Sequence, residues 1–420
     1  MPGDGGSARE VAGAADAVAR RSYGKLVAFL ASRTRDVAGA EDALSEAFAA
    51  ALESWPAGGV PRNPEAWLMA VAKRRMIDAS RRRQSSESGA EHLRLLAEIG
   101  GDEEAQIPDD RLSLMFACAH PAIEAAIRAP LMLQAILGFD AAAIGSAFLV
   151  APSTMGQRLV RAKARIRQAG IPFRVPEKDE LRERLATVLD AIYAVFAEGW
   201  SDPAGTEARR RNLAAEGIWL GRLVAMLLPQ EPEALGLLAL MLHADARRRA
   251  RRDTNGDYVP LSAQDPALWD AALIEEAEAL LFRASTLGDV GRFQLEAAVQ
   301  SAHAARRLTG DTDWAAIAHI YDNLLALSES PVVAINRAIA IAEARGPAQG
   351  LQALDALAGD ARLTEYQPYW AARAGLLAST GDVAAAGLAY ERAIGLESDP
   401  AVRRFLLQSQ ARLLSDTAAP

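Results

Sequence analysis

The chain has 420 residues, half of them hydrophobic and a quarter charged, with one cysteine and a net charge of −8. This composition supports two or three packed domains and excludes disordered, collagen-like and disulfide-scaffold classes. Cys118 alone permits neither an intramolecular disulfide nor a multi-cysteine metal site, and it fits a reducing compartment. No apolar run reaches the roughly 18 residues of a membrane span. Met1–Glu10 also lacks the apolar core of a secretory signal, so the expectation is a cytoplasmic protein without membrane contact.

The charge is unevenly spread. Residues 1–176 hold 22 Lys and Arg against 20 Asp and Glu, and residues 177–420 hold 24 against 34. Within the first part, Lys73–Arg83 has six basic residues and only Asp78, and Ser153–Arg174 has six basic residues and no acid. A polyanion senses this local density within a Debye length of roughly 8 Å, not the net charge.

Apolar spacing of three and four predicts helices almost throughout, and alternating β-branched runs are missing, so the fold class is all-α. An acidic amphipathic helix is predicted over Val37–Trp55, with Glu41, Asp42, Glu46 and Glu53 beside the apolar stripe. After the Gly58–Pro64 turn a second helix runs from Glu65 to Arg83. Its first half is apolar around Trp67 and its second half is basic. A ring followed by cations suits DNA whose strands are separating, whereas a core role for Trp67 is equally compatible with the spacing. Ser85–Pro108 reads as an acidic linker.

Farther along, Asp140 is expected to cap a short helix to Phe148, and Ser153 to cap a second helix from Thr154 to Gln168. This is helix–turn–helix spacing, with Thr154, Gln157, Arg158 and Arg161 outward and Met155, Leu159 and Ile166 inward. Arg can take guanine and Gln adenine, while other cations hold phosphates. Residues 177–420 read as stacked helical hairpins. Trp370, Gly381, Ala386, Tyr390 and Ala393 fall on tetratricopeptide-repeat spacing, and a weaker copy surrounds Gly346.

The order of Arg21-Ser-Tyr-Gly-Lys-Leu26, Ala40-Glu-Asp-Ala-Leu-Ser-Glu-Ala-Phe48, Pro64-Glu-Ala-Trp-Leu68 and Ala72-Lys-Arg-Arg-Met-Ile-Asp78 resembles sigma region 2. Ala151–Lys163 resembles the recognition helix of sigma region 4. Together they are similar to a bacterial sigma factor of the extracytoplasmic-function type, in the subgroup with a C-terminal helical-repeat extension. Ile107–Leu112, Cys118–Pro121, Asp265–Asp270 and Ser330–Arg337 are among its marks. The resemblance implies sigma region 2 over residues 1–84, a linker over 85–108, region 4 over 109–176 and a tetratricopeptide-like extension over 177–420.

It also implies a transcription initiation factor that binds RNA polymerase core, through the clamp helices of the largest subunit and the flap, and directs it to promoter DNA. Glu41, Asp42, Glu46 and Phe48 then fall in the polymerase-binding helix. Asn63, Trp67, Lys73, Arg74, Arg75, Asp78 and Arg81 match the minus-ten segment, and Thr154, Gly156, Gln157, Arg158 and Arg161 match the minus-thirty-five helix. Ala143, Gly145 and Gln134 depart from residues common in region 4. Glycine costs about 1 kcal/mol against alanine inside a helix, which predicts a looser region 4.

The extension is expected to regulate the factor, with possible intramolecular contact to the sigma domains. The alternative is a helical-repeat peptide-binding adaptor with a residual DNA-binding module. An enzyme is not expected. The five histidines show no paired metal spacing, no phosphate loop is present, and Cys118 and His120 do not share a helix face. Neither cofactor nor metal is expected.

Overall fold

Alanine, leucine and long charged residues lose little freedom in a helix. Among the described residues every named element is helical, and the one extended pairing is an isolated bridge between Arg252 and Tyr258. The computed structural model describes residues 18, 22–82, 107–148, 150–200 and 208–418. Residues 85–106 of the expected linker and Arg21 of the first quoted motif lie outside them. The chain forms two compact units, residues 1–199 with 209–217, and residues 200–208 with 218–420.

This division differs from the boundary expected at 176/177, and hydrogen bonds show why. Arg184 Nη2 donates to Phe116 O at 2.9 Å, and Thr187 Oγ1 donates to Ala119 O at 3.1 Å. These donors satisfy carbonyls at the end of the helix Arg111–Cys118, where intrahelical partners run out. The helix Lys178–Trp200 therefore packs with the residues before it.

The first unit begins with α1, residues 22–34, followed by α2 (Val37–Gly58), α3 (Pro64–Arg82), α4 (Arg111–Cys118), α5 (Ala125–Leu137), α6 (Ala141–Ala147), α7 (Pro152–Gln168) and α8 (Lys178–Trp200). α1 is its axis, because Leu26, Val27, Ala28, Leu30 and Ala31 are all fully buried. A helix apolar on every side must be enclosed on every side. Towards α3, Ser22 Oγ and Lys25 Nζ both donate to Glu65. Towards α4, Ser32 Oγ and Arg33 Nη1 both donate to Asp110 Oδ2 at 2.8 Å. Towards α5, Gly24 lies so close to the Ile136 carbonyl that any Cβ would collide with it.

Two helix starts show local sequence control. Asp36 caps α2 by accepting from Gly39 N, and Asp140 caps α6 by accepting from Ala143 N. Ser153, by contrast, is not a cap. α7 begins at Pro152, preceded by Ala151 with no side-chain cap, because proline is pre-organised for the first helical position.

Gly145 also has a structural reason that helix propensity does not show. A Cβ there would stand 2.7 Å from Val150 O, and Val150 N donates to Gly145 O at 2.8 Å. Glycine lets the turn into α7 fold back tightly on α6.

In the second unit the elements are the later part of α9 (Ala208–Leu227), α10 (Pro232–Ala246), α11 (Ala271–Thr286), α12 (Arg292–Ala304), α13 (Arg306–Thr309), α14 (Trp314–Leu327), α15 (Pro331–Arg345), α16 (Pro347–Asp355), α17 (Gln367–Ser379), α18 (Val383–Leu396) and α19 (Pro400–Ala418). Gly346 (φ 110°) and Gly381 (φ 84°) make the tight turns between α15 and α16 and between α17 and α18. Ala374, Leu377, Ala386, Tyr390 and Ala393 form one core with Leu406 of α19.

Glu233 of α10 supplies the N-terminal cap that Gly291 cannot give to α12, accepting from Phe293 N and Gln294 N at 3.0 Å. A further contact joins distant segments of the second unit. Arg252 pairs with Asp399 at 2.5 Å, Arg404 with Asp257 at 2.7 Å, and Tyr258 meets Phe405 edge-on at 5.5 Å. This clasp ties residues 147 apart in sequence and is a non-local closure.

Candidate nucleic-acid interface

α3 separates into two faces because its apolar residues recur at helical spacing. Leu68, Met69, Ala72 and Met76 are buried, whereas Arg74, Arg75, Asp78 and Arg81 are exposed and Lys73 is half-buried. Asn63 Oδ1 accepts from Ala66 N at 3.1 Å, so Asn63 serves the helix start while remaining exposed. Trp67 is half-buried and meets the buried Trp55 edge-on at 5.5 Å. It is both an anchor of the α2–α3 packing and a partly open ring. Arg75 also lies 3.3 Å from Glu46 of α2, an exposed pair that contributes only about 0–1 kcal/mol and separates readily.

On α7, Met155, Leu159, Ala162 and Ile166 face inward, and Ser153, Thr154, Gln157, Arg158, Arg161 and Arg165 face outward. Gly156 is half-buried against Ala141. The first turn has no acid and no side-chain cap, so its N–H groups and dipole favour an anion. A cleft of about 420 Å³ is lined by Arg158, Arg161 and Arg165 together with Ala122, Ile123 and Ile127, with Glu124 also in its wall. Arg165 was missed by the sequence reading, although it lies four residues after Arg161 and seven after Arg158 and so extends the basic face by a turn.

The acidic helix departs from expectation at one position. Asp42 and Glu46 are exposed and Phe48 is half-buried, but Glu41 is buried and accepts a hydrogen bond from Lys163 Nζ of α7 at 2.5 Å. Arg167 adds a longer contact of 3.9 Å to Asp36. Burial pushes the Glu41 carboxyl above its ordinary range, the nearby Lys163 charge and hydrogen bond pull it back, and Asp42 and Asp36 push it up again. Glu41 Oε1 has no hydrogen-bond partner. Glu41 is thus committed to α7 and is not available as a surface contact in this arrangement.

Cys118 and Tyr23 belong to the same interior. Burial, with the Glu41 charge, drives the Cys118 thiol far up, and Tyr23 is raised by burial, Glu41 and Asp42. Cys118 closes α4 while His120 lies beyond its end, where its Nδ1 accepts from Ala122 N. Among the described residues no group of three or more His, Cys, Asp or Glu is placed to hold a metal ion. Among those residues, too, no helix is long and apolar enough to cross a membrane.

Comparison with known proteins adds a family to this geometry. Sigma-70 region 2 matches residues 18–86, the span of α1 to α3. A family of unknown function, DUF6596, matches residues 184–285, from α8 into α11. The uncharacterized protein R00370 of Rhizobium meliloti (strain 1021) is 39% identical over 387 residues, which cover 90% of this chain and 91% of that protein. No solved structure matches. The chain belongs to the same family as that Rhizobium protein and carries at its N-terminus a sigma-70 region 2, which supports a sigma factor in transcription initiation.

Proposed function

We propose that the chain is a sigma factor of the extracytoplasmic-function type, which binds RNA polymerase core and directs it to promoters through two DNA-facing helices. The observation that carries the reading is the sigma-70 region 2 match on α1–α3, whose α3 exposes Arg74, Arg75 and Arg81 beside the partly open Trp67. α3 meets the minus-ten element, with Lys73, Asp78 and the Asn63-capped helix start completing that surface. α6 and α7 act as a helix–turn–helix of region 4, in which Thr154, Gln157, Arg158 and Arg161 meet the minus-thirty-five element and Gly156 allows close packing.

Core polymerase meets the exposed side of α2, at Asp42, Glu46 and the region around Phe48. The tetratricopeptide-like extension regulates the factor, a role supported by the hydrogen bonds from Arg184 and Thr187 of α8 to the end of α4. Transcription with purified core polymerase tests the reading: this chain should give promoter-specific starts. Asp42→Lys with Glu46→Lys should weaken core binding by roughly tenfold or more while leaving the fold intact, because rim charges steer association. Promoter-specific starts absent with the wild-type chain would overturn the assignment.

A further inference from the structure

We infer that the junction where α10 ends and α12 passes into α13 is a binding site for a small, doubly charged oxyanion of the phosphate class, held by Arg247, His303 and Arg306. The site belongs to the second unit, whereas both DNA-facing helices belong to the first, and it does not depend on the sigma reading.

The junction is assembled by packing. Ala246, Ala250, Trp269, Ile274 and Ala304 form one buried cluster, which fixes the end of α10 against the end of α12. Ala305 N donates to Ser301 O at 2.9 Å, so the helical path runs on from α12 towards α13. Gln300, His303 and Arg306 follow one another at three-residue steps and share a face of that path. Arg247 reaches this face from the end of α10. Its Nη2 donates to Gln300 Oε1, and its Nε donates to His243 O at 3.4 Å. Arg306 Nη1 and Nη2 donate to Ser262 O and Gln264 O at 3.0 and 2.7 Å, and its guanidinium lies 5.2 Å from the centre of the Trp269 ring. His303 comes between Gln300 and Arg306 on the face, with its ring set edge-on to Trp314 at 5.3 Å.

The charges at this junction are unbalanced. Among the described residues Arg247 and Arg306 donate only to neutral oxygens, and neither pairs with a carboxylate. Carboxylates of the adjoining segments are already engaged, Asp245 by Arg248 at 2.6 Å and Asp399 by Arg252 at 2.5 Å. Burial, with the charges of Arg251 and Arg306, lowers Arg247 to about 10. Burial, with Arg247 and Arg306, lowers His303 to about 4, so at neutral pH its ring is uncharged and supplies one N–H donor. The buried Nε1 of Trp269, beneath Arg306, has no hydrogen-bond partner either.

Guanidinium groups gathered without a counter-charge repel one another in the empty site, and a local conflict of this kind marks a functional position. Arg247, His303 and Arg306 are each half-buried and keep part of their surface in solvent, where a solute can reach them. A phosphate-class dianion matches the two arginine charges and accepts from their N–H groups through several oxygens. A single carboxylate leaves one cation unmatched.

Inorganic pyrophosphate tests the site in the full-length protein, with chloride withdrawn to hold the ionic strength constant and the histidine rings followed by nuclear magnetic resonance. The His303 signal, assigned by its loss in His303→Gln, should shift saturably, while that of the exposed His319 on α14 should stay in place. Arg306→Gln should weaken the titration by roughly tenfold or more, because hydrogen bonds to a charged group are the strong ones. Phenyl phosphate shifting the same signal would assign the phosphate group of an organic carrier, and a response to pyrophosphate alone would assign the free oxyanion. A His303 signal that does not move, or that moves no more than that of His319, overturns the site. Equal affinity in a folded Arg306→Gln chain also overturns it. The wild-type titration decides the matter whether or not that variant folds.

Discussion

In the first unit the contacts that set the arrangement join residues far apart in sequence: Gly24 with Ile136, Ser32 and Arg33 with Asp110, and Glu41 with Lys163. In the second unit helices stack mainly on the next hairpin, around cores such as Ala374, Leu377, Ala386 and Tyr390, and the clasp of Arg252 with Asp399 is a non-local tie. One unit is an assembly of helices around a buried axis, and the other is a stack of helical hairpins with its distant parts fastened. The first is held by contacts between distant segments around the buried α1. Loosening the second requires loss of hairpin cores.

Acid should expose that difference most strongly. His243 lies inside the second unit at 1% exposure, 3.4 Å from Glu278 but without a hydrogen bond at either ring nitrogen. Burial, reinforced by the Arg247 charge, lowers its pKa to about 4. The unfolded chain then binds a proton near pH 6.5 that the folded chain refuses until about pH 4. Stability is full above pH 6.5 and falls as pH drops towards 4, by about 3 kcal/mol from this group alone. Denaturant unfolding of the second unit across this range should show the slope, and His243→Phe should reduce it, leaving the part due to His303, whose pKa burial also lowers to about 4. An unchanged slope in that variant would assign the acid sensitivity elsewhere.

A smaller and opposite effect is expected from Gly24→Ala, which acts on the first unit alone. The new methyl group meets the Ile136 carbonyl of α5, and overpacking of this kind costs about 1–3 kcal/mol. Unfolding followed separately in the two units should show loss in the first and no change in the second. A neutral result would mean that α1 and α5 do not pack at their backbones.

How far the sequence foretold this structure follows the same contrast. The all-α class, the capped start at Asp140, the inward face of α7 and the hairpin with Gly381 and Tyr390 were legible because each depends on spacing within one or two helices. The reason for Gly145 was not legible because it lies in the approach of Val150, which spacing alone does not show. The compact unit runs past residue 176 because two prolines mark the end of a segment but not what the following helix touches. Glu41 and Lys163 left a clue that went unused. Glu41 lies four residues after Val37 and three before Leu44, and Lys163 lies four after Leu159 and three before Ile166, so each charge stands on an apolar stripe. A charge in such a place needs a partner, but pairing these two across 122 residues requires the fold.

The closed first unit is tested most directly by one distance. Labels at Leu52→Cys on α2 and Val160→Cys on α7, both exposed positions, in a Cys118→Ala background, report the separation of the modules by pulsed dipolar spectroscopy. The free chain should show one short, narrow distribution, which should shift to much longer distances in the complex with core polymerase and promoter DNA. A long or broad distribution in the free chain, or the same short one in the complex, would contradict the account.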